Sequence, residues 1–173
     1  PFLLEIRLDV ESQDARQGYD ALYEETSLSQ IESFYIWLMK KLHLPRQGRL
    51  LDVACGGGEV VRLAGQHGLR AIGLDISEVV ARLAQQRIMP HGWMGVSRGE
   101  AIPFASESFD IVTNIGSLEH FFDPAQGVRE MARVLKPGGR VTYSDFHPFG
   151  HLAGWKRAFH ANGREYSVRH YPH

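Results

Sequence analysis

From residue 49 onward, short apolar runs alternate with stretches whose apolar positions recur every three or four residues. Residues 50–54, 70–75 and 109–114 have the length and apolar density of buried strands. Residues 93–97 form a weaker strand, and residues 139–145 another, opened by the turn Pro137-Gly138-Gly139. Between them the spacing predicts helices over 59–67, 77–87 and 124–135, the second capped by Ser77. This alternation predicts a mainly parallel sheet with helices on both faces, an α/β three-layer sandwich. Ligands of such sheets bind beyond the carboxyl ends of the strands, where the loop at 54–58, Asp75, Asn114 and Asp145 all fall.

The flanks read differently. Residues 2–11 alternate apolar and charged positions, the period of a half-buried edge strand or arm. Ile31, Phe34, Tyr35, Leu38 and Leu42 mark one face of a helix closed by Pro45. Ile36 and Trp37 lie off that face, and either pack against the domain or form part of a lid over an apolar substrate. At the other end, residues 149–159 read as a short helix, Asn162-Gly163 as a turn and residues 164–170 as a strand. The expected organisation is an N-terminal arm and lid region (1–45), a ligand-binding core (46–146) and a substrate-side segment (147–173).

The totals narrow the partners. A chain of 173 residues fits one domain. With 19 basic and 20 acidic residues, it carries no electrostatic footprint for nucleic acid or an anionic membrane surface. A small molecule or another protein is the expected partner. The single cysteine rules out an intrachain disulfide and fits a reducing compartment. No stretch approaches the ~20 apolar residues of a membrane span, and no signal-peptide pattern opens the chain, so the expected location is cytoplasmic.

The stretch LLDVACGGGE, residues 50–59, carries the chemistry. A glycine loop between a first strand and its helix can hold dinucleotide phosphates, but its usual pattern is G-x-G-x-x-G. Here the three glycines are contiguous and Asp52 stands before the bend. An acid there is a poor neighbour for pyrophosphate and a good one for a cation. Asp75 ends the second strand, where an acid can accept both hydroxyls of a ribose. An adenosine carrying a cationic group in place of phosphates satisfies both, and S-adenosylmethionine is such a ligand.

On these residues, with AIGLDIS at 71–77, AIPFASESFDIVTNIGSLEHFFDP at 101–124 and REMARVLKPGGRVTYSD at 129–145, the chain resembles the class I, Rossmann-like methyltransferases of small molecules, the quinone-ring methylases among them. The resemblance covers about residues 19–145. It implies S-adenosylmethionine as cofactor and a small-molecule methyl acceptor. By the same resemblance, Asp52, Ala54, Cys55, Gly56 and Gly58 bend under the methionine part of the cofactor, and Asp75 clasps the ribose. Ile76 packs on one adenine face, Ala101 and Ile102 border the ring, Asn114 and Ile115 lie near the sulfonium, and Tyr19 stands near the tail. Two positions depart from the family pattern: Ala54 replaces a glycine, and Arg98 stands where an acid commonly caps the adenine amino group, leaving Glu100 to substitute. Relatives continue past the fifth strand with a hairpin that completes a seven-stranded sheet. The expectation here is an incomplete set of C-terminal strands, or a sheet edge covered by a second subunit or the arm at 2–11.

Two histidines are candidates for catalysis. His147 leaves the fifth strand on the substrate side and either takes a proton from a hydroxyl acceptor, or orients it, or is a packing or surface histidine. His120 sits in SLEHFFDP, where the Glu119-His120 pair organises the loop in related chains. Phe121 and Phe122 read as core. Cys55 reads as a small residue in a crowded bend, with a helix N-terminus able to lower its thiol pKa. His147 and His151 are separated by Pro148 with no third ligand placed, so no metal site is expected. Methyl transfer by in-line displacement is the expected reaction. A non-catalytic methyltransferase-like partner or regulatory subunit is the alternative, and a nicotinamide-dependent oxidoreductase fits less well.

Overall fold

The computed structural model describes Gln17 and residues 32–145, 147–154, 158–161 and 163–167. Expectations for the arm at 2–11 and for Tyr19 lie outside the described residues. The sheet has five parallel strands: β1 Arg49–Val53, β2 Arg70–Asp75, β3 Trp93–Val96, β4 Phe109–Ile115 and β5 Leu135–Ser144. Their order is β3-β2-β1-β4-β5. The order reverses between β1 and β4, and this switch point opens a crevice beyond their carboxyl ends.

β1 is apolar without alternation because it is covered on both faces. Leu50 turns to one side, with Leu38 and Leu42 of α1 (Glu32–Leu42), Val60, Val61 and Ala64 of α2 (Glu59–His67), and Ile88 of α3 (Glu78–Ile88). Leu51 and Val53 turn to the other, with Met131 and Val134 of α4 (Pro124–Val134), Leu118 and Phe121. Leu50, Leu51 and Val53 are fully buried, each contributing roughly 2 kcal/mol by area removed from water. The helices begin where the capping residues predict. Ser77 Oγ accepts from Val80 N at 3.1 Å, and Asp123 Oδ1 accepts from Gln126 N at 2.9 Å ahead of Pro124.

Three expectations are corrected. Phe34 is 41% exposed and stacks on Trp37, because α1 presents Leu38 and Leu42 to the core and turns Phe34 outward. Phe121 is buried as expected, but Phe122 points to solvent after a 3₁₀ turn at Leu118–His120. The helix expected over 149–159 is only α5, Pro148–Leu152, followed by β6 Ala158–Ala161, paired antiparallel with β7 Arg164–Ser167. Phe159 therefore lies in a hairpin that pairs with itself and forms a separate two-stranded sheet, because cross-strand pairing overrides the local helical spacing.

Candidate cofactor site

The loop from Ala54 to Gly58 leaves β1 and enters α2 at the switch point. It turns by three left-handed residues, Ala54 (φ 55°), Gly56 (φ 50°) and Gly58 (φ 77°). At Gly58 a Cβ would also lie 2.9 Å from Ile88 Cγ2, so both conformation and space require glycine. Asp75 holds the loop to β2. Its Oδ2 accepts from Gly56 N at 2.9 Å and its Oδ1 from Ser77 N at 3.0 Å. Ile76 beside it is 47% exposed, an apolar surface next to the carboxylate expected to meet a ribose.

Beneath the loop lies Asp52, 2% exposed, whose Oδ1 accepts from Thr113 Oγ1 at 2.6 Å. Burial pushes its carboxyl up to about 7; the Thr113 bond opposes this, and the charge of Asp75 adds to it. Tyr35, half-buried on α1, faces the same group: burial and then the charges of Asp52, Glu59 and Cys55 push its phenol up to about 12. Sequence reasoning assigned neither Thr113 nor Tyr35 to the site. The signal for Thr113 was a polar pair, Thr113-Asn114, ending an apolar strand. For Cys55 the buried bend outweighs any lowering of the thiol by the helix N-terminus. Burial, reinforced by Asp52 and Asp75, holds the thiol well above its ordinary range, and the sulfur packs 3.9 Å from Met94 Sδ. The thiol is an inert filler of the bend.

Asn114 is fully buried at the end of β4. Its Nδ2 donates to Val53 O at 2.9 Å and Ser117 Oγ at 3.0 Å, tying the two sides of the switch point together. Among the described residues its Oδ1 is a buried acceptor without a hydrogen bond. Ile115, half-buried, packs on the cluster under α1 and α2. On the β3 side, Glu100 Oε1 accepts from Phe122 N at 2.8 Å, and its Oε2 lies 3.7 Å from Arg98 Nε. The carboxylate anchors the loop after β4. Ile102 is 3% exposed in the core, its N–H donating to Glu130 and its carbonyl accepting from Arg133. Ala101 is exposed at the surface.

His147 is exposed, and its Nδ1 accepts from Phe149 N at 3.2 Å, capping α5. Nε2 is the ring nitrogen not engaged by this contact. His120 Nε2 lies 3.4 Å from Oε1 of Glu119, itself 3% exposed. Among the described residues no three metal-ligating side chains converge.

The donor set decides what the loop can hold. The amides of Cys55, Gly56 and Gly58 donate to Leu74 O, Asp75 and Cys55 O, so they are not offered to a pyrophosphate. Two acids and a buried unpaired amide oxygen surround the bend. That chemistry fits a ribosyl ligand carrying positive charge. A family model described as a methyltransferase domain matches residues 51–143, the strands and loops that build this site. The chain belongs to the class I S-adenosylmethionine methyltransferases, in the quinone-methylase-like group. The family's cofactor is S-adenosylmethionine, and the nicotinamide alternative is set aside.

Two relatives of this methyltransferase carry quinone chemistry in their names. A ubiquinone/menaquinone biosynthesis C-methyltransferase from Geotalea daltonii is 35% identical, over 74% of this chain and 58% of its own. A 2-phytyl-1,4-naphtoquinone methyltransferase from Thermosynechococcus vestitus is 34% identical, over 75% of this chain and 60% of its own. The chain thus spans about three fifths of the curated relatives it matches. An S-adenosylmethionine dependent methyltransferase from Mesorhizobium loti superposes with a TM-score of 0.62 at 25% identity, covering 78% of this chain and 64% of that one. Among the described residues no helix is long and apolar enough to cross a membrane.

Proposed function

We propose that this methyltransferase transfers a methyl group from S-adenosylmethionine to a small aromatic or quinone-type acceptor by in-line displacement. The observation that carries the reading is the Gly56–Asp75 clasp beside the buried Asp52, an acid-lined bend at the switch point with its amides already engaged. When bound, the cofactor supplies an activated methyl on a sulfonium; the protein's part is proximity, orientation and exclusion of water. In this proposal Asp75 receives the ribose and Ile76 one adenine face. Ala54, Cys55, Gly56 and Gly58 lie under the methionine part, with Asn114 and Ile115 near the reacting end. Ala101 contributes backbone beside the ring. His147 takes a proton from a hydroxyl acceptor or orients it, and His120 holds the loop after β4 through Glu119.

The same proposal places the protein in the cytoplasm, with no nucleic acid partner, since its charges balance. Among the described residues β5 pairs only with β4, and a second subunit covering its outer edge is part of the reading. The division at residues 46 and 147 belongs to it too. A second reading, a chain that binds the cofactor without turnover as a partner subunit, is favoured by Arg98 standing in place of an acid. Incubation with methyl-labelled S-adenosylmethionine and a panel of hydroquinones, phenols and amines separates the two. Label in a ring product supports transfer. Cofactor binding without label in any acceptor supports the second.

A further inference from the structure

The cofactor's amino-acid tail carries an ammonium and a carboxylate, and the acidic bend provides for only the first. Asp52, Asp75 and Glu59 repel a carboxylate, and the amides of Cys55, Gly56 and Gly58 are already donated within the protein. The nearby cation is also engaged: Arg62 donates to Glu59 Oε2 at 2.8 Å and 3.1 Å and to Gln66 Oε1 at 3.4 Å. Among the described residues these amides and Arg62 are engaged, and a neutral donor facing the bend would serve the carboxylate.

Resting on the proposed cofactor reading, we propose that the Tyr35 hydroxyl is that donor and fixes the carboxylate end of S-adenosylmethionine. Tyr35 packs against the cluster that contains Cys55, Val60 and Val61, on the α1 stripe that continues with Leu38 and Leu42. That stripe holds the ring against the glycine bend. The ring is half-buried, and its hydroxyl makes no hydrogen bond among the described residues. A half-buried phenol in this position needs a partner. Burial, and then the charges of Asp52 and Glu59, push its phenol up to about 12, so it donates at every working pH. Selectivity follows: the phenol adds nothing for a cationic adenosine that lacks the carboxylate.

The test is calorimetric titration of the full chain and its Tyr35→Phe variant with S-adenosylmethionine and with decarboxylated S-adenosylmethionine, which keeps the sulfonium and amine. The expected result is a loss of about tenfold in affinity for S-adenosylmethionine in the variant, with affinity for the decarboxylated compound unchanged. The ratio of the two affinities within one preparation is independent of how much of the variant is folded. Equal weakening of both ligands shows that Tyr35 only packs, and overturns the assignment. Unchanged S-adenosylmethionine affinity overturns it as well, while the cofactor reading stands. Failure of both ligands to bind the unsubstituted chain overturns the cofactor reading and the assignment with it.

Discussion

The hydroxyl of Thr113 donates to Oδ1 of Asp52 at 2.6 Å across the junction of β1 and β4, where Thr113 is fully buried and Asp52 is 2% exposed. The bond favours the ionised carboxylate, but burial outweighs it and holds the group near about 7. The acid under the glycine loop is thus poised where a nearby cation would tip it to the charged form.

Stability should report this poise. The folded carboxyl titrates near about 7, against roughly 3.9 in the unfolded chain. Between those values the folded state keeps a proton that the unfolded state has lost, so the group's contribution is fully present below ~4 and lost as pH rises through about 7. Asp52→Asn keeps an oxygen for Thr113 and removes the titration. Urea denaturation should find the variant more stable than the parent at pH 8 by more than ~1 kcal/mol, with the difference shrinking as pH falls below about 7 and vanishing only near pH ~4. A difference independent of pH would contradict the account.

Ala54 stands at φ 55° where the family carries glycine. A left-handed alanine costs about 1–2 kcal/mol, and glycine returns part of the gain through a more flexible unfolded chain. Ala54→Gly should stabilise the protein by about 0.5–1 kcal/mol, seen as a higher urea midpoint at unchanged slope.

Glu100 separates two roles. As the anchor of Phe122 N–H, its loss in Glu100→Ala should speed amide exchange at Phe122 and Asp123 by about tenfold while leaving cofactor affinity within about threefold. Normal protection with a large loss of affinity would instead restore it as the adenine cap.

These sites mark the boundary of what the sequence discloses. The helix Glu59–His67 and the strand Arg70–Asp75 match their expected ends to the residue, because Gly58, Gly68 and the apolar runs around them are local signals. The bond from Phe122 N to Glu100 was not legible because the two lie 22 residues apart, on loops brought together only by the fold. Thr113 was missed for the same reason, standing 61 residues from Asp52. Ile102 opens the segment Ile102-Pro103-Phe104, and its burial depends on the core assembled around it. Tyr35 fell on a helical apolar face and read as packing. Its closeness to Asp52 and Glu59 exists only once α1 is laid on α2.

The central claim is that Asp75 and the loop it clasps bind S-adenosylmethionine. Calorimetric titration of the chain and of Asp75→Ala with S-adenosylmethionine and S-adenosylhomocysteine, with NAD as control, tests it most directly. The account predicts saturable binding of both sulfur ligands to the parent, at least hundredfold weaker in the variant, and none of NAD. Binding of NAD, or binding of S-adenosylmethionine that survives the loss of Asp75, would contradict it.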